Sequence, residues 1–208
     1  MEKFDKVWVN ARIAIVDDNG EIIVHENSFL AIKNKKIAKI DKMENFEHLS
    51  VNKIYDVENR LITTSLIDCH THLIFGGNRA NEFEKRLNGI SYAQIAKDGG
   101  GIASSIKNTR EESFDSIYKN SAKRLEALIK DGVTTIEIKT GYGLDTQSEI
   151  KMLKIAQKLE MNYPIHIEKT FLGAHAVPIE YKNDSDSYID YICNEMLPEV
   201  HKLGLITC

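Results

Sequence analysis

Asp68-Cys69-His70-Thr71-His72 closes an apolar run, Leu61 to Ile67. In an extended chain alternate side chains share one face, so His70 and His72 can present two imidazoles to a single point. Neutral imidazole is the commonest metal ligand among side chains, and two on one strand face make half of a tetrahedral site. Taken alone, a His-x-His pair is more often two solvated or hydrogen-bonded histidines, so the residues around it have to decide the matter.

Those surroundings fall into two textures. Residues 1–60 read as an N-terminal β-sheet domain, too short in strands to be complete by itself. Val7 to Val16 and Glu21 to Val24 flank Asp17-Asp18-Asn19-Gly20, and Asn-Gly favours a two-residue hairpin. A second hairpin is expected at Asn34-Lys35, a loop over Asp41 to Asn52, and a strand over Lys53 to Val57. Residues 61–208 alternate strand, loop and helix. Ser113 to Asp131 carries Phe114, Ile117, Leu125, Leu128 and Ile129 at helical spacing and stops at Gly132. Val133 to Lys139 is a β-branched, buried strand, Thr146 to Glu160 a helix, and Pro164 to Phe171 a further strand. Ser185 to Leu203 is a helix with a break expected near Pro198. The alternation predicts an α/β fold with a parallel sheet, in the manner of a TIM-like (β/α) barrel whose chemistry sits at the C-terminal strand ends. A full barrel takes about 250 residues, so only its first half is expected here. Another strand is expected to begin at Ile206-Thr207-Cys208.

With 42% hydrophobic and 28% charged residues the composition is that of a globular protein. A formal net charge of -4 gives no reason to expect nucleic acid or an anionic membrane as partner. Cys69, Cys193 and Cys208 show neither metal-type nor disulfide-framework spacing, and reduced thiols suit a cytosolic protein. Met1 to Lys6 lacks the apolar core of a signal peptide, so the expected location is the cytoplasm.

Further motifs lie where strands are expected to end. They are Gly76-Gly77-Asn78-Arg79, Leu87-Asn88-Gly89-Ile90-Ser91-Tyr92, Gly99-Gly100-Gly101, Lys139-Thr140-Gly141-Tyr142-Gly143-Leu144, and Thr170-Phe171-Leu172-Gly173-Ala174-His175-Ala176. In order and spacing these closely resemble the imidazolonepropionases, metal-dependent amidohydrolases of histidine degradation. The likeness runs from about Leu61 onward and covers the N-terminal half of such an enzyme. The two later motifs are its most specific part.

The resemblance implies hydrolysis of 4-imidazolone-5-propanoate to N-formimidoyl-L-glutamate by a metal-activated water. It matches His70 and His72 to the first two ligands of one zinc or iron ion per subunit. It matches Arg79 to the residue that holds the substrate propionate, where a planar guanidinium suits a carboxylate. Tyr92 would add a hydroxyl to the same carboxylate, or else serve as a core aromatic of a short helix, Ser91 to Asp98. Tyr142, between two glycines, and His175 match substrate contacts; a plain turn tyrosine and a satisfied core histidine are the plainer alternatives. The glycine run 99–101 lacks a P-loop lysine and reads as a turn or helix start. His25, His48, His166 and His201 match no motif. Thr64-Ser65 replaces the family's usual Pro-Gly before the histidine strand, a change in turn chemistry only. The remaining ligands, a histidine and an aspartate, and the main acid-base residues are expected beyond residue 208, so this chain alone is expected to be inactive. The partner implied is a small molecule, with no nucleic acid or membrane and room for a homodimer. Two other readings stay open, another cyclic amidohydrolase or deaminase of the same superfamily and a non-catalytic fragment.

Overall fold

The computed structural model describes residues 3–47 and 49–207; His48 and Cys208 lie outside the described residues. Contacts divide the chain into two compact units, one up to Ser65 and the other from Leu66 onward.

The first unit is β structure. Strands β1 (Lys3–Phe4), β2 (Lys6–Val16), β3 (Ile22–Lys33), β4 (Lys36–Lys42), β5 (Ser50–Val51), β6 (Ile54–Asp56) and β7 (Leu61–Ile62) follow in order. The larger sheet runs β4-β3-β2-β6, with β7 also on β2, while β1 pairs with β5. Alternation along β2 buries Val7, Val9, Ala11 and Ile13, as expected of a sheet with one covered face. The Asn34-Lys35 hairpin is present, both residues taking positive φ (52° and 64°) between the paired Lys33 and Lys36. The turn before it differs from expectation. Val16 pairs with Ile22, and Asp17 N–H reaches the Glu21 carbonyl at 2.9 Å, so the loop is Asp18-Asn19-Gly20, one residue longer than a two-residue hairpin. Asp17 Oδ1 accepts the Asn19 and Glu21 N–H groups, and Gly20 takes the left-handed position at φ 83° that ends such a loop.

The second unit alternates as the sequence predicts. Its elements are β8 (Leu66–Thr71), α1 (Ala80–Leu87), α2 (Tyr92–Lys97), α3 (Ile102–Glu111), α4 (Phe114–Lys130), β9 (Val133–Lys139), α5 (Thr146–Asn162), β10 (His166–Thr170), α6 (Ser185–Tyr191) and α7 (Leu197–Lys202). The strands form one parallel sheet in the order β10-β9-β8. Helix α4 is capped by Ser113, whose side chain accepts from Ser116 N–H, and α5 by Asp145, which accepts from Ser148 N–H. Their apolar stripes pack on the sheet through Ile117, Leu125, Ile136, Ile138, Met152, Ile155 and Leu159. Each such side chain removed from water contributes about 1.5–3 kcal/mol, enough to fix the three strand ends relative to one another.

Two features depart from the sequence expectations. Helices α1 and α3 lie in stretches whose glycines and polar residues hid a helical period. Strand β8, at one edge of the sheet, leaves the end of the apolar run Leu61 to Ile67 in solvent, with Leu66 57% and Ile67 68% exposed. The break expected near Pro198 in the helix over Ser185 to Leu203 is present as a π-helical turn, Ile192–Met196, just ahead of Leu197-Pro198. Proline has no N–H and would press on the carbonyl of Asn194, and the wider turn accommodates both. At the other edge Thr207 N–H reaches the Lys169 carbonyl at 2.9 Å and Lys169 N–H reaches Thr207 Oγ1 at 2.7 Å, so the segment after α7 runs beside β10.

Candidate active site

The site is built at the C-terminal ends of β8, β9 and β10. Between Asp68 and Thr71 the pairing of β8 with β9 shifts register, and such a bulge re-aims side chains. His70 and His72 emerge there with ring centroids 5.6 Å apart. The loop after β10 brings His175 to 4.4 Å from the His72 ring, and the loop after β9 brings Tyr142 to 5.1 Å from His72 and 5.5 Å from His175. The structure thus gathers His70, His72, Tyr142 and His175.

Burial, and after it the neighbouring His175, holds the His72 pKa down to about 4; burial and then His70 lower that of His175. Both rings are therefore neutral near pH 7, the form in which imidazole donates a lone pair. His72 Nδ1 is buried without a hydrogen-bond partner among the described residues. An orphaned buried nitrogen is costly unless something binds it, so His72 fits the part of a metal ligand. Among the described residues no group of three or more His, Cys, Asp or Glu side chains converges on one point; His70 and His72 supply two donors.

Arg79 follows a loop that docks tightly on α3. A methyl group on Gly76 would lie 2.4 Å from the Asn108 carbonyl oxygen, Gly76 N–H donates to Thr109 Oγ1 at 3.0 Å, and Gly77 N–H to Glu112 Oε1 at 2.5 Å. The Arg79 Nε and Nη2 then donate to Ser105 Oγ at 3.1 and 3.0 Å. Arg79 and Tyr142 line one cleft of about 310 Å³ with Phe75, Asn78, Ser105 and Arg124. Tyr92 is not among the lining residues. It is 53% exposed, on α2, with its hydroxyl 3.1 Å from where a Gly101 Cβ would be. Gly101, at φ 70°, leads into α3, so the glycine run is a helix start. A larger apolar hollow of about 840 Å³ lies between α3 and residues 176–185, lined by none of the residues expected in the site.

Sequence reasoning missed the residues that hold these groups. Glu149, fully buried in the first turn of α5, accepts from Gly141 N–H (3.2 and 3.1 Å), Gly143 N–H (2.8 Å) and Leu144 N–H (2.9 Å), and so fixes the loop bearing Tyr142. Its signal was an acid early in a helix that follows a Gly-x-Gly loop. Glu137 accepts from Thr170 Oγ1 at 2.5 Å and pairs with Lys139. Lys139 first, then Thr170, lowers its pKa, which leaves a carboxylate at the strand ends. Arg124 interrupts the inward stripe Ile117-Ser121-Leu128 of α4, a charge where an apolar residue is expected. His166 lies between Glu160 and Glu168, at 3.2 and 2.6 Å, on the far part of β10.

The fold has a counterpart among solved structures. The zinc- and atraton-complexed mutant of the atrazine chlorohydrolase TrzN from Arthrobacter aurescens TC1 superposes with a TM-score of 0.52 at 15% identity, covering 79% of this chain and 35% of that one. At that identity the likeness is one of fold alone. No family model matches. Sequence is more specific. An imidazolonepropionase of Hahella chejuensis is 47% identical over 200 residues, 95% of this chain and 50% of that protein. One of Brucella anthropi is 48% identical over 202 residues, 96% of this chain and 50% of the relative. The chain is a relative of the imidazolonepropionases and spans about half the length of the curated relatives it matches.

Proposed function

We propose that the chain is the N-terminal half of an imidazolonepropionase, the first part of an amidohydrolase (β/α) barrel behind a small β domain. In it 4-imidazolone-5-propanoate is opened by water to N-formimidoyl-L-glutamate. The observation that carries this reading is the position of Tyr142, which touches the imidazole cluster on one side and borders the guanidinium-lined cleft on the other. A heterocycle with an acidic arm fits that division.

His70 and His72 would hold one zinc or iron ion, together with ligands outside this chain. Such an ion, when bound, lowers the pKa of a water to about 7 and polarises a carbonyl. The chain's own residues do the rest of the positioning. Arg79, steadied by Ser105, grips the propionate and fixes the ring's distance from the two imidazoles. Tyr142 packs on the ring and orients it. His175, neutral, accepts or donates one hydrogen bond at the ring nitrogen or carbonyl oxygen. Tyr92, on α2 with its hydroxyl beside Gly101, would add a hydrogen bond to the same carboxylate. The substrate is a small molecule; no helix among the described residues is long and apolar enough to cross a membrane.

A different cyclic amide or an amino-heterocycle would not need the guanidinium cleft. The test is a substrate panel offered to the chain joined to the C-terminal half of the Hahella chejuensis relative. Opening of imidazolonepropionate in preference to its propionamide supports the reading. Equal use of the two, or deamination of a purine in preference to either, contradicts it.

A further inference from the structure

We propose that Arg124 is a second carboxylate-binding cation, sharing with Arg79 the acidic arm of the ligand in the cleft bordered by Tyr142. This rests on the reading that the cleft takes that arm. The lining residues include two guanidinium groups and no carboxylate. Among the described residues neither Arg79 nor Arg124 has a carboxylate within the 4.0 Å of an ion pair. Two like charges at one partly enclosed wall repel each other, and an anion between them relieves the repulsion and regains the lost hydration.

The orientation of Arg124 is set without using all of its donors. Its Nη1 donates to the Leu73 carbonyl at 2.8 Å and to Ser121 Oγ at 3.4 Å. Its guanidinium lies 3.7 Å over the Phe75 ring centroid, and Phe75 in turn meets Tyr142 edge to face at 6.2 Å. All its hydrogen bonds to described residues run through Nη1, so Nε and Nη2 remain available. Arg79 is spent in the complementary way, with Nε and Nη2 on Ser105 and Nη1 available. Each fork therefore keeps donors for one more acceptor, and a carboxylate has four lone-pair sites to meet them. Glu112 is the acid whose field reaches Arg124, but its oxygens are engaged by Gly77 N–H and Ser116 Oγ and it does not line the cleft. The plainer alternative is a clamp that ties α4 to the loop after β8 through Leu73 and Phe75. That role needs only Nη1 and the ring face and makes no use of a ligand's charge.

The two roles separate by nitrogen-15 NMR of the arginine side chains in the 208-residue chain, titrated with 3-(imidazol-4-yl)propionate and, separately, with its neutral amide. The Nε–H signals of both Arg79 and Arg124 should move with the acid and neither with the amide. Arg124→Gln should weaken the acid by ~10- to 100-fold and leave the amide unchanged. Arg124→Lys, which keeps the charge without the fork, should fall between. A shift confined to Arg79, or acid binding by Arg124→Gln equal to that of the unaltered chain, overturns the proposal. If free propionate binds as tightly as the imidazole acid and moves both signals, the anion subsite stands and the imidazolone reading falls. If the chain joined to the C-terminal half of the relative hydrolyses imidazolonepropionate but Arg124→Gln costs nothing in binding or turnover, the reverse holds.

Discussion

Gly141 lies so close to His175 that a methyl group on it would sit 2.6 Å from the His175 Cβ and 2.9 Å from the Leu172 carbonyl oxygen. Its φ of 107° is also closed to most side chains. Two loops from different strands are thereby pressed together at the point where Tyr142 and His175 meet. Gly141→Ala should cost about 1–3 kcal/mol through backbone strain and spread the two rings. Thermal unfolding and binding of an imidazole acid should both suffer. Unchanged stability and affinity would show that the contact is incidental.

Glu149 gives a pH dependence. Burial pushes its pKa up against the Thr140 side chain and the backbone N–H groups that favour its charged form. The unfolded carboxyl ionises near 4.5 and the folded one at higher pH, so between the two the folded chain binds more protons. The contribution of Glu149 is then fully present below pH 4.5 and is lost as pH rises through the folded pKa. Glu149→Gln removes this titration. The stability of the unaltered chain should decline relative to the variant as pH rises from 4.5 toward neutrality, measured by urea unfolding across that range. A difference that does not vary with pH would count against the buried charge.

Much of this was legible beforehand, for a physical reason in each case. Strand β9 and helices α4 and α5 followed from β-branched runs, helical spacing and caps, all local properties. His70 and His72 were marked by their alternation on a strand, Tyr142 by its two flanking glycines and His175 by its motif with Gly173, and the strand ends bring the four together. Helix α3, which holds Arg79 through Ser105, was hidden because its inward face is polar, with Ser105 and Thr109 buried. Glu149 left only a faint mark, an acid early in the helix after a Gly-x-Gly loop, because its partners are backbone N–H groups, which show nothing in a sequence. Arg124 showed only as a charge within the inward stripe of α4, because its stacking on Phe75 is a contact distant in sequence.

Arg79→Lys should impair an acid-bearing ligand and spare the metal. Losing a charge-assisted hydrogen bond costs about 1.5–3 kcal/mol, and lysine keeps the charge without the planar fork. Calorimetric titration should show affinity for 3-(imidazol-4-yl)propionate reduced by ~10- to 100-fold, with zinc content unchanged. Equal affinity would remove Arg79 from the carboxylate subsite.

The proposed function has this chain supply the first two metal ligands, His70 and His72, and the substrate-binding wall of an imidazolonepropionase. The most direct measurement is turnover of imidazolonepropionate by the 208-residue chain, alone and joined to the C-terminal half of the Hahella chejuensis relative, each supplied with zinc or iron. The expected result is no turnover by the chain alone, turnover by the joined protein, and its loss with His72→Ala. Hydrolysis by the chain alone, or a folded, metal-loaded joined protein that leaves imidazolonepropionate intact, would contradict it.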